Sequence, residues 1–114
     1  DHAPHLLEEK LSDNPPSGFP GLETAFFALN KLVSKNIITL EILVEKLTAA
    51  YKIFNIDSHG EIKVGNYANL VFLQHAPCIF KAEAAKTKAK FSAFDNITSD
   101  ISIEHVFVNG QQMF

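Results

Sequence analysis

The hydrophobic period of this chain changes once, at Gly60, and that change limits the folds open to it. Before it, Leu22, Ala25, Phe26, Leu29, Leu32 and Val33 recur at helical spacing, which predicts an amphipathic helix from about Leu22 to Ser34. Glu23 falls in its first turn, where the helix dipole favours an anion. Phe26 and Phe27 are adjacent and cannot share one narrow stripe, so this helix should be covered on more than one side. Leu40, Leu43, Val44 and Leu47 form the apolar face of a second helix, capped by Thr39 and ending near Ala49 or Ala50. A short helical turn with Tyr51, Ile53 and Phe54 follows, and Asn55 and Asp57-Ser58-His59-Gly60 stop it.

Beyond Gly60 the period is two. Glu61-Ile62-Lys63-Val64 alternates as a half-buried strand should, and Leu70-Val71-Phe72-Leu73 is a continuous apolar run suited to a strand covered on both faces. Ile101 to Val108 reads as another strand, which Asn109-Gly110 turns into a hairpin returning through Gln111 to Phe114. Helices first and strands second make an α+β fold. Residues 6 to 20, dense in turn formers at Asp13-Asn14-Pro15-Pro16-Ser17-Gly18, read as a loop.

Composition excludes several classes of function. A chain of 114 residues, 46% hydrophobic and 20% charged, is globular and fits one domain. No apolar run approaches the ~20 residues of a membrane helix and no signal peptide is legible, so a cytoplasmic, membrane-free protein is expected. The net charge of -3 lacks the basic excess that phosphate backbones demand. The lysines between Lys81 and Lys90 alternate with alanines rather than aromatics, as in a solvated loop, so nucleic acid is not an expected partner. Cys78 is the sole cysteine, which rules out an internal disulfide or a cysteine-based zinc site and suits a small buried hydrophobe.

The densest chemistry lies in Asp1-His2-Ala3-Pro4-His5, where Pro4 stiffens a turn that can aim a carboxylate and two imidazoles at one point. With Leu7-Glu8-Glu9-Lys10 and Gly18-Phe19-Pro20-Gly21-Leu22-Glu23-Thr24, this segment resembles the loop after the last barrel strand of dihydroorotases, in the amidohydrolase superfamily. Gly60 to Gly65, Ala68 to Phe72, Lys86 to Phe94 and Val106 to Gly110 resemble later landmarks of the same family, so the likeness covers essentially the whole chain. It implies the last helices of a zinc-dependent (β/α)8 barrel in residues 1–59 and the C-terminal part of a small β-sandwich in residues 60–114. It also implies that the chain is a piece of a longer protein, since the motif begins without the strand that should hold it.

The roles that follow are those of the resemblance. Asp1 would be the proton shuttle and a ligand to one of two zinc ions, and His5 would bind the carboxylate of dihydroorotate. Main-chain groups around Pro20 and Gly21 would contact the pyrimidine ring. Related hydantoinases and allantoinases generally lack a histidine at the place of His5, which favours reversible hydrolysis of dihydroorotate to carbamoyl aspartate, in pyrimidine biosynthesis. His2 has no implied role, and His59, His75 and His105 are read as surface residues rather than ligands. The other ligands of the family's metal pair have no counterpart here, so the piece alone is expected to be inactive. Self-association into a homo-oligomer is expected from open strand edges and from Phe26, Phe27, Leu29 and Leu32, with a mobile Asp1 to Gly18 segment. Three alternatives stay open: a non-catalytic dihydroorotase-like scaffold for aspartate transcarbamoylase, another cyclic amidohydrolase of hydantoinase or allantoinase type, and a self-contained small α+β binding module.

Overall fold

A computed structural model describes residues 2–114. Four helices precede five strands: α1 (Leu7–Lys10), α2 (Ala25–Ser34), α3 (Leu40–Thr48), α4 (Ala50–Ile53), β1 (Leu70–Gln74), β2 (Cys78–Ile79), β3 (Thr98–Ser99), β4 (Ser102–Val108) and β5 (Gln111–Gln112). The fold is α+β with antiparallel sheets, in the order that the change of period predicts. One sheet runs β1-β4-β5 and the other pairs β2 with β3.

Local sequence explains the helices and their ends. The Thr39 hydroxyl accepts from the Ile42 amide at 3.3 Å, the expected cap of α3. This hydroxyl also holds the Glu41 carboxyl below its ordinary range, with its own backbone amide as a second cause. Helix α2 begins three residues later than its apolar spacing predicts, because Gly21 to Thr24 close a turn in which the Thr24 amide donates to the Gly21 carbonyl at 3.2 Å. Residues 6 to 20 are not wholly loop. The Leu6 amide donates to Glu9 Oε2 at 2.6 Å and starts α1, and Lys10 then reaches the carbonyls of Pro16 and, at 2.6 Å, Gly18.

The strands are confirmed in part. Leu70 to Phe107 and Gln74 to Ser102 bound the β1–β4 ladder, with a bulge between Phe72 and Leu73. Asn109 and Gly110 adopt φ of 51° and 80°, the positive pair that a two-residue hairpin turn requires. Glu61 to Val64 form no strand: Ile62 and Val64 are 93% and 101% exposed, since alternation has no effect without a neighbouring strand to pair with. Strand β1 is likewise not covered on both faces, because Val71, Phe72 and Leu73 keep 57%, 47% and 39% of their surface.

The core is small. Leu43, Ala82, Ala85, Ala89 and Ile101 are its buried apolar residues, and Thr24, Asn30 and Ser99 are buried beside them. The alternating lysine and alanine stretch is therefore more than a solvated loop: its lysines face water while Ala85 and Ala89 face inward. Helix α2 docks on β3 through polar groups, with Asn30 Nδ2 3.3 Å from Asp100 Oδ1 and Lys31 Nζ 3.1 Å from Thr98 Oγ1. Phe26, Phe27, Leu29 and Leu32 are partly buried rather than an open patch, whereas Leu40, Val44 and Leu47 on α3 and Ile53 and Phe54 after it are among the exposed apolar chains. A compact monomer of 12.6 kDa exposes about 6,200 Å² by the mass scaling of folded chains. This chain exposes 8288 Å², about 2,100 Å² more.

Candidate functional site

The two motif segments meet. The Ala3 amide donates to the Phe19 carbonyl at 3.1 Å, and His2 Nδ1 accepts from the amides of Gly21 and Leu22 at 3.3 and 3.2 Å. Residues 2–5 are thereby tied to residues 19–22 across the thirteen intervening positions, 6–18, that α1 and Lys10 fold away.

Each expected site residue has a definite setting except Asp1, which lies outside the described residues. His5 is partly buried in a tight turn, its amide donating to the Ala3 carbonyl at 2.9 Å. Its Nδ1 stands 3.7 Å from Glu9 Oε2, an ion pair only when the imidazole is protonated. Pro20 is buried and Gly21 half-buried. The Gly21 amide is held by His2, and its carbonyl accepts from both the amide and the hydroxyl of Thr24, at 3.2 and 3.1 Å. Of the main-chain groups assigned to ring contact, the Pro20 carbonyl is the one without a partner among the described residues.

Two residues that carry the arrangement escape a reading of the sequence. His2 has no implied role, yet it makes two of the bonds between the segments. Glu23 is not in the first turn of α2 but precedes it, and its carboxylate accepts from the amides of Lys86 and Thr87 at 2.9 and 2.8 Å. This pair of bonds anchors the motif to the loop before Phe91, and Phe19 rests near Phe94 with ring centroids 6.2 Å apart. The sequence signal for Glu23 was its place in the Gly-Phe-Pro-Gly-Leu-Glu-Thr run, but its partners lie more than sixty positions away.

No protein-family model matches the sequence. A dihydroorotase of Archaeoglobus fulgidus is 36% identical over 115 residues, which is 99% of this chain and 28% of that protein. A dihydroorotase of Carboxydothermus hydrogenoformans is 48% identical over 77 residues, 64% of this chain and 18% of that protein. The chain belongs with the dihydroorotases. The multifunctional protein CAD of Squalus acanthias is 33% identical over 112 residues, 97% of this chain but 5% of its own length. The chain thus spans less than a third of these curated relatives.

The dihydroorotase motif does not enclose a ligand site by itself. The crevice beside His2, Pro20, Glu23, Thr87 and Phe91 holds about 10 Å³, room for one water at most. Among the described residues no three His, Cys, Asp or Glu side chains come together to hold a metal ion. A roomier groove of about 510 Å³ lies elsewhere, between Leu40, Val44, Tyr51 and Glu61, and carries none of the motif residues. There the Tyr51 hydroxyl donates to Glu61 Oε1 at 2.7 Å, and this bond pushes the phenol above its ordinary range. No helix among the described residues is long and apolar enough to cross a membrane.

Proposed function

We propose that the chain is the C-terminal portion of a dihydroorotase that hydrolyses the cyclic amide of dihydroorotate to carbamoyl aspartate, reversibly, in pyrimidine synthesis. The observation that carries this reading is the joining of residues 2–5 to residues 19–22 by the bonds of His2 and Ala3, in a chain whose relatives are dihydroorotases. It brings His5, a donor suited to an anionic substrate, into the same loop cluster as the Pro20 carbonyl, which has no partner among the described residues and can accept from a ring N–H.

In this reading Asp1 moves the proton from the attacking water to the leaving nitrogen, and His5 binds the substrate carboxylate. Pro20 and Gly21 border the ring, Gly21 by shape rather than by its engaged amide. Zinc would be held by Asp1 together with ligands outside this chain, and the piece alone would be inactive for want of them. Residues 1–59 are the end of a (β/α)8 barrel and residues 60–114 a share of a β-sandwich, within a cytoplasmic homo-oligomer. The surplus of about 2,100 Å² of surface and the unpaired Ile62 and Val64 fit a chain covered by a larger body. Relatives that are multifunctional proteins support work beside other enzymes of the pathway, with aspartate transcarbamoylase the expected neighbour.

The test is turnover of dihydroorotate by the zinc-loaded parent protein. Asp1→Asn is expected to lower kcat by at least ~10², the usual share of general acid-base catalysis. His5→Ala is expected to raise KM more than it lowers kcat. Full activity of the Asn variant, or an unchanged KM without His5, would remove those assignments.

A further inference from the structure

We propose that His2 is a positioning residue, a clamp that sets the register of His5 against Pro20 and Gly21; this rests on the reading that those residues act on one substrate. Its Nδ1 is the meeting point of two consecutive amides, those of Gly21 and Leu22, at 3.3 and 3.2 Å. Two N–H groups pointing at one ring nitrogen make Nδ1 the acceptor in both bonds. Together with the Ala3 amide on the Phe19 carbonyl, this gives three bonds between residues 2–3 and residues 19–22.

Gly21 shows why the clamp governs the site. Its carbonyl is held from the other side by the amide and hydroxyl of Thr24, which is 2% exposed, and Pro20 before it is buried. The turn is thus fixed to the body of the protein, whereas residues 2–5 lie at its surface or partly buried, and His2 itself is exposed. Among the described residues, the side-chain link from this segment to the fixed turn is His2. Without it, among the described residues, the Ala3 bond is the one direct hydrogen bond left between residues 2–5 and residues 19–22, and His5 is free to shift against Pro20 within the slack that Lys10 and α1 allow. A substrate held at its carboxylate by His5 and at its ring by Pro20 needs both at a set separation, so loss of the clamp weakens binding before it slows chemistry.

The experiment compares His2→Phe, which keeps a ring but has no acceptor, with His2→Asn, whose Oδ1 can stand near the place of Nδ1. Both are made in the full-length, zinc-loaded protein. Steady-state hydrolysis of dihydroorotate is measured beside amide hydrogen exchange of the peptide spanning Phe19 to Glu23. The Phe variant is expected to raise KM about tenfold with kcat within about threefold, and to speed exchange at Gly21 and Leu22, while the Asn variant restores both. Unchanged KM and exchange in the Phe variant, or equal impairment in Phe and Asn, would overturn the clamp. A wild-type protein inert toward dihydroorotate overturns the functional reading and the positioning role with it, whereas an active wild type with a silent His2→Phe overturns the positioning role alone.

Discussion

Glu23→Gln isolates one anchor of the site with almost no change of shape. In the native chain the two carboxylate oxygens each accept one amide, Oε2 from Lys86 at 2.9 Å and Oε1 from Thr87 at 2.8 Å. Bonds to a charged acceptor contribute about 1.5–3 kcal/mol each, roughly twice a neutral bond. Glutamine keeps one carbonyl oxygen, so one bond survives in weaker form. Its NH₂ group faces the other amide, donor against donor, and that amide loses its partner. Glu23 is partly exposed, so water recovers some of the loss. The net cost is about 2 kcal/mol. With a urea dependence of about 1–3 kcal/mol per molar, the unfolding midpoint should fall by about 1 M without a change of slope. Urea titration followed by far-ultraviolet circular dichroism reads this directly, and hydrogen exchange should accelerate at Lys86 and Thr87 before other sites. A midpoint that moves by less than about 0.2 M, with protection at those amides intact, would show that the bonds contribute nothing to stability.

Leu43 is 1% exposed, and Leu43→Ala should cost about 2–5 kcal/mol, the usual range for a buried leucine; an unchanged melting temperature would contradict its place in the core. Gly60 has φ of +78°, and a Cβ there would lie 1.9 Å from Tyr51 Cδ1. Gly60→Ala should therefore displace the Tyr51 ring and break its bond to Glu61, and adding Tyr51→Ala should recover the steric part, leaving about 1 kcal/mol of backbone strain. Equal stability of the single and double variants, each measured relative to its own Gly60 parent, would refute that contact.

What could be read from the sequence was what short-range geometry determines. The stripe of α2, the Thr39 cap and the Asn109-Gly110 turn depend on residues within a few positions of one another; the cap and the turn are found where spacing predicts them, and α2 starts three residues later than its spacing predicts. Alternation over Glu61 to Val64 has the same local form and fails, because a pattern says which side chains share a face and not whether another strand lies alongside. The lysine stretch misleads in the opposite direction. Its charges mark a wet surface, while the alanines between them are small enough to pass unnoticed as core.

The two motif segments were legible in the sequence but the bonds that join them were not, and the reason lies in how little apolar burial this chain has. Where a large core exists, packing holds loops in place and the hydrophobic pattern foretells it. Here two of the three largest fully buried side chains are Asn30 and Thr24, and the long-range links are polar: Asn30 to Asp100, Glu23 to Lys86 and Thr87, His2 to Gly21 and Leu22. Such bonds leave no periodicity, since each needs one acceptor and a correctly turned amide rather than a recurring residue type. They are also directional, so they fix separation and angle in a way that apolar contact does not. A loop that joins residues 2–5 to residues 19–22 and to Lys86 and Thr87 is therefore better served by His2 and Glu23 than by another leucine. The same residues are the ones whose exchange with an isostere should disturb the site while leaving α2, α3 and the β1–β4 ladder intact.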